Sequence, residues 1–117
     1  MDSLKVTDDA AAQVAKAPNR VTLANIEAAI AEEWTMTGAH AATMSPDPQP
    51  GDCHPSLSVL TLHLVVMRNG FTVVGKSAPA DAANFNAELG AKLAREDAIR
   101  QIWPLMGFAL RDRLQTA

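Results

Sequence analysis

Leu60, Leu62, Leu64 and Val66 alternate with Thr61, His63, Val65 and Met67, and this period of two predicts a strand. Beyond Asn69-Gly70, Phe71, Val73 and Gly75 alternate in the same way with Thr72, Val74 and Lys76. A two-residue type I′ turn at Asn69-Gly70 folds the two runs into an antiparallel hairpin. In that register Val66 faces Val73, Leu64 faces Gly75 and His63 faces Lys76. The Leu60–Val66 row is then the inner, apolar face, and His63 is a half-exposed residue on the outer one.

Elsewhere the apolar positions recur at helical spacing. Leu23, Ile26, Ile30 and Trp34 form one stripe, with Thr22 as N-cap and Val21 as a hydrophobic staple, which predicts a helix over about 23–35. A longer stripe of Phe85, Leu89, Leu93, Ile99, Ile102 and Trp103 follows Asp81, a suitable N-cap. Ala94 and Ala98 allow this helix to approach the sheet closely. Pro104 removes a backbone donor and crowds the Arg100 carbonyl, so a kink or restart is expected there before the apolar character resumes through Leu114. Two strands alone are marginal in water, so this segment is expected to cover the hairpin.

Residues 1–18 lack a bulky periodic face and read as a frayed helix or flexible leader, and the Pro- and Gly-rich stretch 37–56 reads as an irregular loop. The resulting expectation is an α+β fold in one domain over 19–117. It comprises an N-terminal helix, an antiparallel β-hairpin and a long C-terminal helix kinked or restarted at Pro104.

Composition narrows the setting. A chain of 117 residues, 48% hydrophobic and 20% charged, supports one modest core and is not a disordered chain. No uninterrupted apolar run exceeds the four residues of Leu64–Met67, against roughly 20 for a membrane helix, and the N-terminus lacks a signal-peptide pattern. A cytoplasmic protein with no membrane partner is expected. A single cysteine, Cys53, permits no internal disulfide. The net charge of −3 is uneven: residues 1–67 carry three basic against eight acidic residues, and residues 68–117 carry seven against five. That small, interspersed basic excess does not make a duplex-nucleic-acid footprint.

Candidate chemistry is concentrated in the basic C-terminal part. Glu88, Lys92, Glu96 and Arg100 alternate in sign at four-residue spacing, as in a solvated ladder worth about 0.2–0.5 kcal/mol per pair. Lys92, Arg95, Arg100 and Arg111 are the candidate contacts for a phosphate or carboxylate, with Trp103 or Phe108 beneath a base or an apolar partner group. His40, Cys53 and His54 lack metal-ligand spacing, and adjacent residues in extended chain point apart, which disfavours a Cys-His catalytic pair. Phosphate-binding glycine loops and the nucleophile-elbow motif are missing from the sequence. No catalytic residue, metal or cofactor is therefore expected, and the protein reads as a non-enzyme.

The stretch Val59–Leu114 resembles the phage gp-forty-nine-like family, small proteins of tailed phages and prophages. The resemblance is carried by RNGFTVVGKSA, by NFNAELGAKLAREDAIRQIWPLMGFAL, and by RVTLANIEAAIAEEW at residues 20–34, and it covers about 85 residues of the chain. The family pattern often has a cysteine near Pro79 or Ala80 and a tyrosine at Phe108, and these departures leave the scaffold untouched. The resemblance implies a phage or prophage origin and work in the bacterial cytoplasm, and it supplies no catalytic residue.

An accessory protein that binds a host protein, as an inhibitor, modulator or counter-defence factor, is the leading expectation. The alternative is a sponge for a nucleotide second messenger, and a third is a small hydrolase or nuclease using His40, Cys53 and His54. Open strand edges further predict a homo-oligomer, most simply a twofold dimer that extends the sheet or packs the 104–114 segments together.

Overall fold

A computed structural model describes residues 3–47 and 51–116. Helix α1 (Ser3–Val14) and helix α2 (Leu23–Ala29) lead into strand β1 (Ile30–Thr37), followed by a short helix α3 (Gly38–Thr43). A 3-10 segment, Pro55–Val59, precedes strand β2 (Thr61–Met67), strand β3 (Thr72–Ser77) and the 30-residue helix α4 (Ala87–Thr116). The strands form one antiparallel sheet in the order β1-β2-β3. The expected α+β architecture of N-terminal helix, hairpin and long C-terminal helix is present, enlarged by a third strand.

Thr22 caps α2 as expected. Its hydroxyl accepts from the Asn25 N–H, and the Asn25 side chain accepts from the Thr22 N–H, satisfying two donors that a helix start leaves orphaned. The helix expected over 23–35 nevertheless ends at Ala29. The stretch Ile30–Thr37 fits the period of a strand as well as that of a helix, and it pairs along β2 from Ile30↔Met67 to Thr37↔Thr61. A bulge between Ile30 and Glu32 sets its register.

The hairpin is displaced by one residue from the expected pairing. Val65 opposes Val73, Leu64 opposes Val74, and His63 opposes Gly75 rather than Lys76. The turn explains the slip. The Gly70 N–H donates to the Met67 carbonyl, the Met67 N–H donates to the Phe71 carbonyl, and Gly70 alone in the turn has positive φ, at 89°. This is a three-residue loop closed by a glycine bulge, not a type I′ turn. Asn69 contributes its side chain, whose Oδ1 accepts the Phe71 N–H at 3.0 Å.

The slip decides which face of β2 is covered. Thr61, His63, Val65 and Met67 are buried under α4, and Leu62, Leu64 and Val66 lie on the opposite face, reversing the expected inner row. The core joins Val65, Met67 and Val73 to Ile26, Ile30, Ala98, Ile99 and Ile102, with Leu4 of α1 at its margin. Ala94 and Ala98 make the expected close approach, whereas Leu89 and Leu93 of the predicted stripe are 51% and 41% exposed.

Three further boundaries differ from expectation. Residues 1–18, read as a frayed helix or flexible leader, contain the helix α1, which is tied down, with Asp8 paired to Arg20 at 2.9 Å and Ser3 accepting from Arg100 at 2.8 Å. The Pro-rich loop contains α3 and the Pro55–Val59 turn; Pro48, Gln49 and Pro50 lie outside the described residues. Asp81 caps only a 3-10 turn, and α4 starts after Asn86, whose Oδ1 accepts the Leu89 N–H. From there α4 continues through Pro104 without a restart. Arg100 and Pro104 are both exposed, so water can serve the carbonyl left without an intrahelical donor.

Candidate functional site

The helix-facing side of the sheet carries a row of linked polar side chains. The Thr35 hydroxyl lies 2.8 Å from His63 Nδ1, and His63 Nε2 lies 2.7 Å from Glu33 Oε1. Arg95 of α4 closes the row, donating through Nε at 2.8 Å and Nη2 at 3.4 Å to the two Glu33 oxygens. An imidazole protonated at Nε2 donates to Glu33 and accepts from Thr35, so each polar atom has a partner. His63 is 4% exposed, a correction to the half-exposed strand residue expected. Burial raises the Glu33 pKa, but the hydrogen bonds from Arg95 and His63 and the charge of Arg95 outweigh it, leaving the group below its ordinary value.

Hydroxyl, imidazole and carboxylate in sequence also describe a nucleophile, a base and its orienter. That chemistry requires space for a substrate beside the hydroxyl. None of Thr35, His63, Glu33 and Arg95 lines any of the described cavities. The row joins β1, β2 and α4 as a polar clip. The helical spacing over 23–35 conceals the row by placing Glu33 and Thr35 on a helix; the alternation Glu33, Thr35, Thr37 is the signal that points to it.

A concave apolar surface lies toward the other end of α4. A cleft of about 440 Å³ opens between the β2–β3 turn and the C-terminal half of the helix. Met67, Phe71, Ile102, Leu105, Met106 and Ala109 supply apolar lining, with Arg68 and Arg113 among its walls. Phe71 and Leu105 remain 55% and 47% exposed. Arg68 is anchored, donating from Nε to the Ala28 carbonyl at 2.6 Å, whereas Arg113 makes no ion pair among the described residues. Such a surface fits an apolar side chain with a carboxylate beside it.

The candidate residues named from sequence do not converge on one chain. Arg95 is engaged with Glu33 and Arg100 with Ser3, and Trp103 packs on the core and donates to the Val21 carbonyl at 3.2 Å. Lys92, Phe108 and Arg111 are exposed, but Lys92 and Phe108 stand about 24 Å apart along the helix at 1.5 Å per residue. The expected charge ladder is not formed: none of Glu88, Lys92, Glu96 and Arg100 makes an ion pair with another among the described residues, and Glu96 is buried with Oε2 unpartnered. In the Pro-rich loop, His54 Nδ1 accepts from the Ser56 N–H and Cys53 is exposed and free. No group of three metal-ligating side chains occurs among the described residues. No helix among them is long and apolar enough to cross a membrane.

The fold and its cleft define a small α+β protein in which a three-stranded antiparallel sheet, backed by one long helix, presents an apolar groove at the helix's far end. The chain belongs to the Phage protein (N4 Gp49/phage Sf6 gene 66) family, whose model matches residues 21–114. The match spans α2 through most of α4 and therefore includes both the polar clip and the groove. Neither a curated protein nor a solved structure gives a significant match.

Proposed function

We propose that this phage protein is a non-catalytic accessory factor that works in the bacterial cytoplasm and binds a host protein through the groove between the β2–β3 turn and α4. The observation that carries this reading is the groove itself: an open apolar trough with Arg113, which makes no ion pair among the described residues, in its lining. A short segment with one or two apolar anchors followed by an acidic residue fits that chemistry, in the manner of helix-in-groove recognition.

Nucleotide capture has weaker support. Three of its six expected contacts, Arg95, Arg100 and Trp103, are occupied within the chain, and the exposed ones are spread along α4.

Affinity capture from host lysate tests the proposal when wild type is compared with Met106→Glu and Arg113→Glu. A single saturable partner retained by wild type and lost from both variants is the expected result. Equal retention by all three, or a saturable thermal shift with a cyclic nucleotide in place of any protein partner, would overturn it. Circular dichroism of each variant shows that the fold is intact.

A further inference from the structure

The sheet face turned away from α4 is unusually apolar for a surface left in water. Pairing places Glu32, Val66 and Thr72 in one row across the strands, Trp34, Leu64 and Val74 in the next, and Met36, Leu62 and Lys76 in the third. Six of these nine positions are large and apolar, and none of the six belongs to the buried core or to the side chains packed against it. Trp34 is 58% and Val74 51% exposed, and Met36, Leu62, Leu64 and Val66 are half-buried. A contiguous patch of this kind marks an interaction surface.

The charges on the face point to its occupant. Glu32 and Lys76 hold diagonally opposite corners of the grid, with Leu64 at its centre. Lys76 makes no ion pair among the described residues, and the Glu32 carboxylate accepts only the Trp34 indole N–H there, at 3.2 Å. With strands about 4.8 Å apart and same-face residues about 6.8 Å apart, a second grid crossed at a right angle over Leu64 brings each Glu32 within about 3 Å, laterally, of the partner's Lys76. Orthogonal sheet packing of this type is one of the two common arrangements. The twofold operation makes both ion pairs at once and stacks the apolar rows between them.

Pairing through the β3 edge is disfavoured. The outward Lys76 N–H donates to Asp97 at 3.0 Å and the outward Val74 carbonyl accepts from Gln101 at 2.8 Å, so α4 side chains already occupy that edge.

We infer that two copies of this chain dimerise face to face through the Trp34–Leu64–Val74 surface, with reciprocal Glu32–Lys76 pairs fixing the crossing. Sedimentation equilibrium and light scattering over a concentration series read the association. Wild type forms a dimer at roughly 100 μM or below, and Leu64→Glu weakens it by about 100-fold or more. Glu32→Lys and Lys76→Glu each weaken self-association about tenfold, and an equimolar mixture of these two restores a dimer, because every corner pair is then opposite in sign.

A wild-type protein that stays at 12.4 kDa across the series would overturn the inference. So would a dimer indifferent to Leu64→Glu, which places the interface on the β1 edge or on the 104–114 segment. Failure of the mixture to recover association removes the proposed crossing. Glu32 and Lys76 are exposed, so neither reversal threatens the fold.

Discussion

Gly75 lies directly beneath Ala98: a Cβ added to the glycine would stand 2.8 Å from the alanine Cβ and 2.6 Å from its backbone nitrogen. The Ala94 carbonyl closes the same space. Helix α4 therefore rests on the sheet at the one strand position without a side chain, and backbone atoms cannot give way as a flexible side chain would. Gly75→Ala is expected to cost about 2–3 kcal/mol, at the upper end of overpacking changes, read as a lower urea midpoint with an unchanged slope. An effect below about 0.5 kcal/mol would show that α4 can lift off without loss.

The polar clip predicts a pH signature. The folded-state pKa of Glu33 is depressed, so its stabilisation is fully present above the ordinary value of 4.5 and declines as pH falls through the lower folded value. Glu33→Gln should flatten the loss of stability between about pH 5 and pH 3, with little change in the slope above pH 6. Arg95→Ala should cost about 1 kcal/mol at neutral pH, the scale of a partly exposed ion pair. Denaturant melts at several pH values check both.

The observed turn and a type I′ turn respond differently to glycine. A type I′ turn takes Asn69→Gly well, because both central residues need positive φ. Here only Gly70 does, and Asn69 supplies a side-chain acceptor. Gly70→Ala is expected to cost about 1 kcal/mol and Asn69→Gly also to destabilise, by about 0.5–1 kcal/mol. A stabilising Asn69→Gly would refute the three-residue loop.

Pro104 sits inside α4 with its side exposed. Pro104→Ala restores the hydrogen bond to the Arg100 carbonyl and should raise stability by about 1–3 kcal/mol, seen as a higher thermal midpoint. A lower midpoint would mean that the proline shapes the groove beside Leu105 and Met106, and partner capture by the same variant would then fall.

Much of this molecule follows from local rules. Thr22 caps a helix because its hydroxyl and Asn25 satisfy orphaned donors, β2 and β3 are strands because their side chains alternate, and Ala94 and Ala98 mark the face of α4 that can come close. Alternation along β2 defines two faces without choosing between them, since Val65 and Met67 are as fit for burial as Leu64 and Val66. The choice required Gly75: α4 can settle only over that residue, and the turn places His63 opposite it. Ile30–Thr37 likewise fits either period, and pairing with β2 made it a strand. The clip and the groove were illegible for a related reason. Each joins residues from three stretches of chain, 33–35, 63 and 95 in one and 29, 67–71 and 102–113 in the other, and only the packed tertiary structure brings such distant positions within hydrogen-bonding or van der Waals reach.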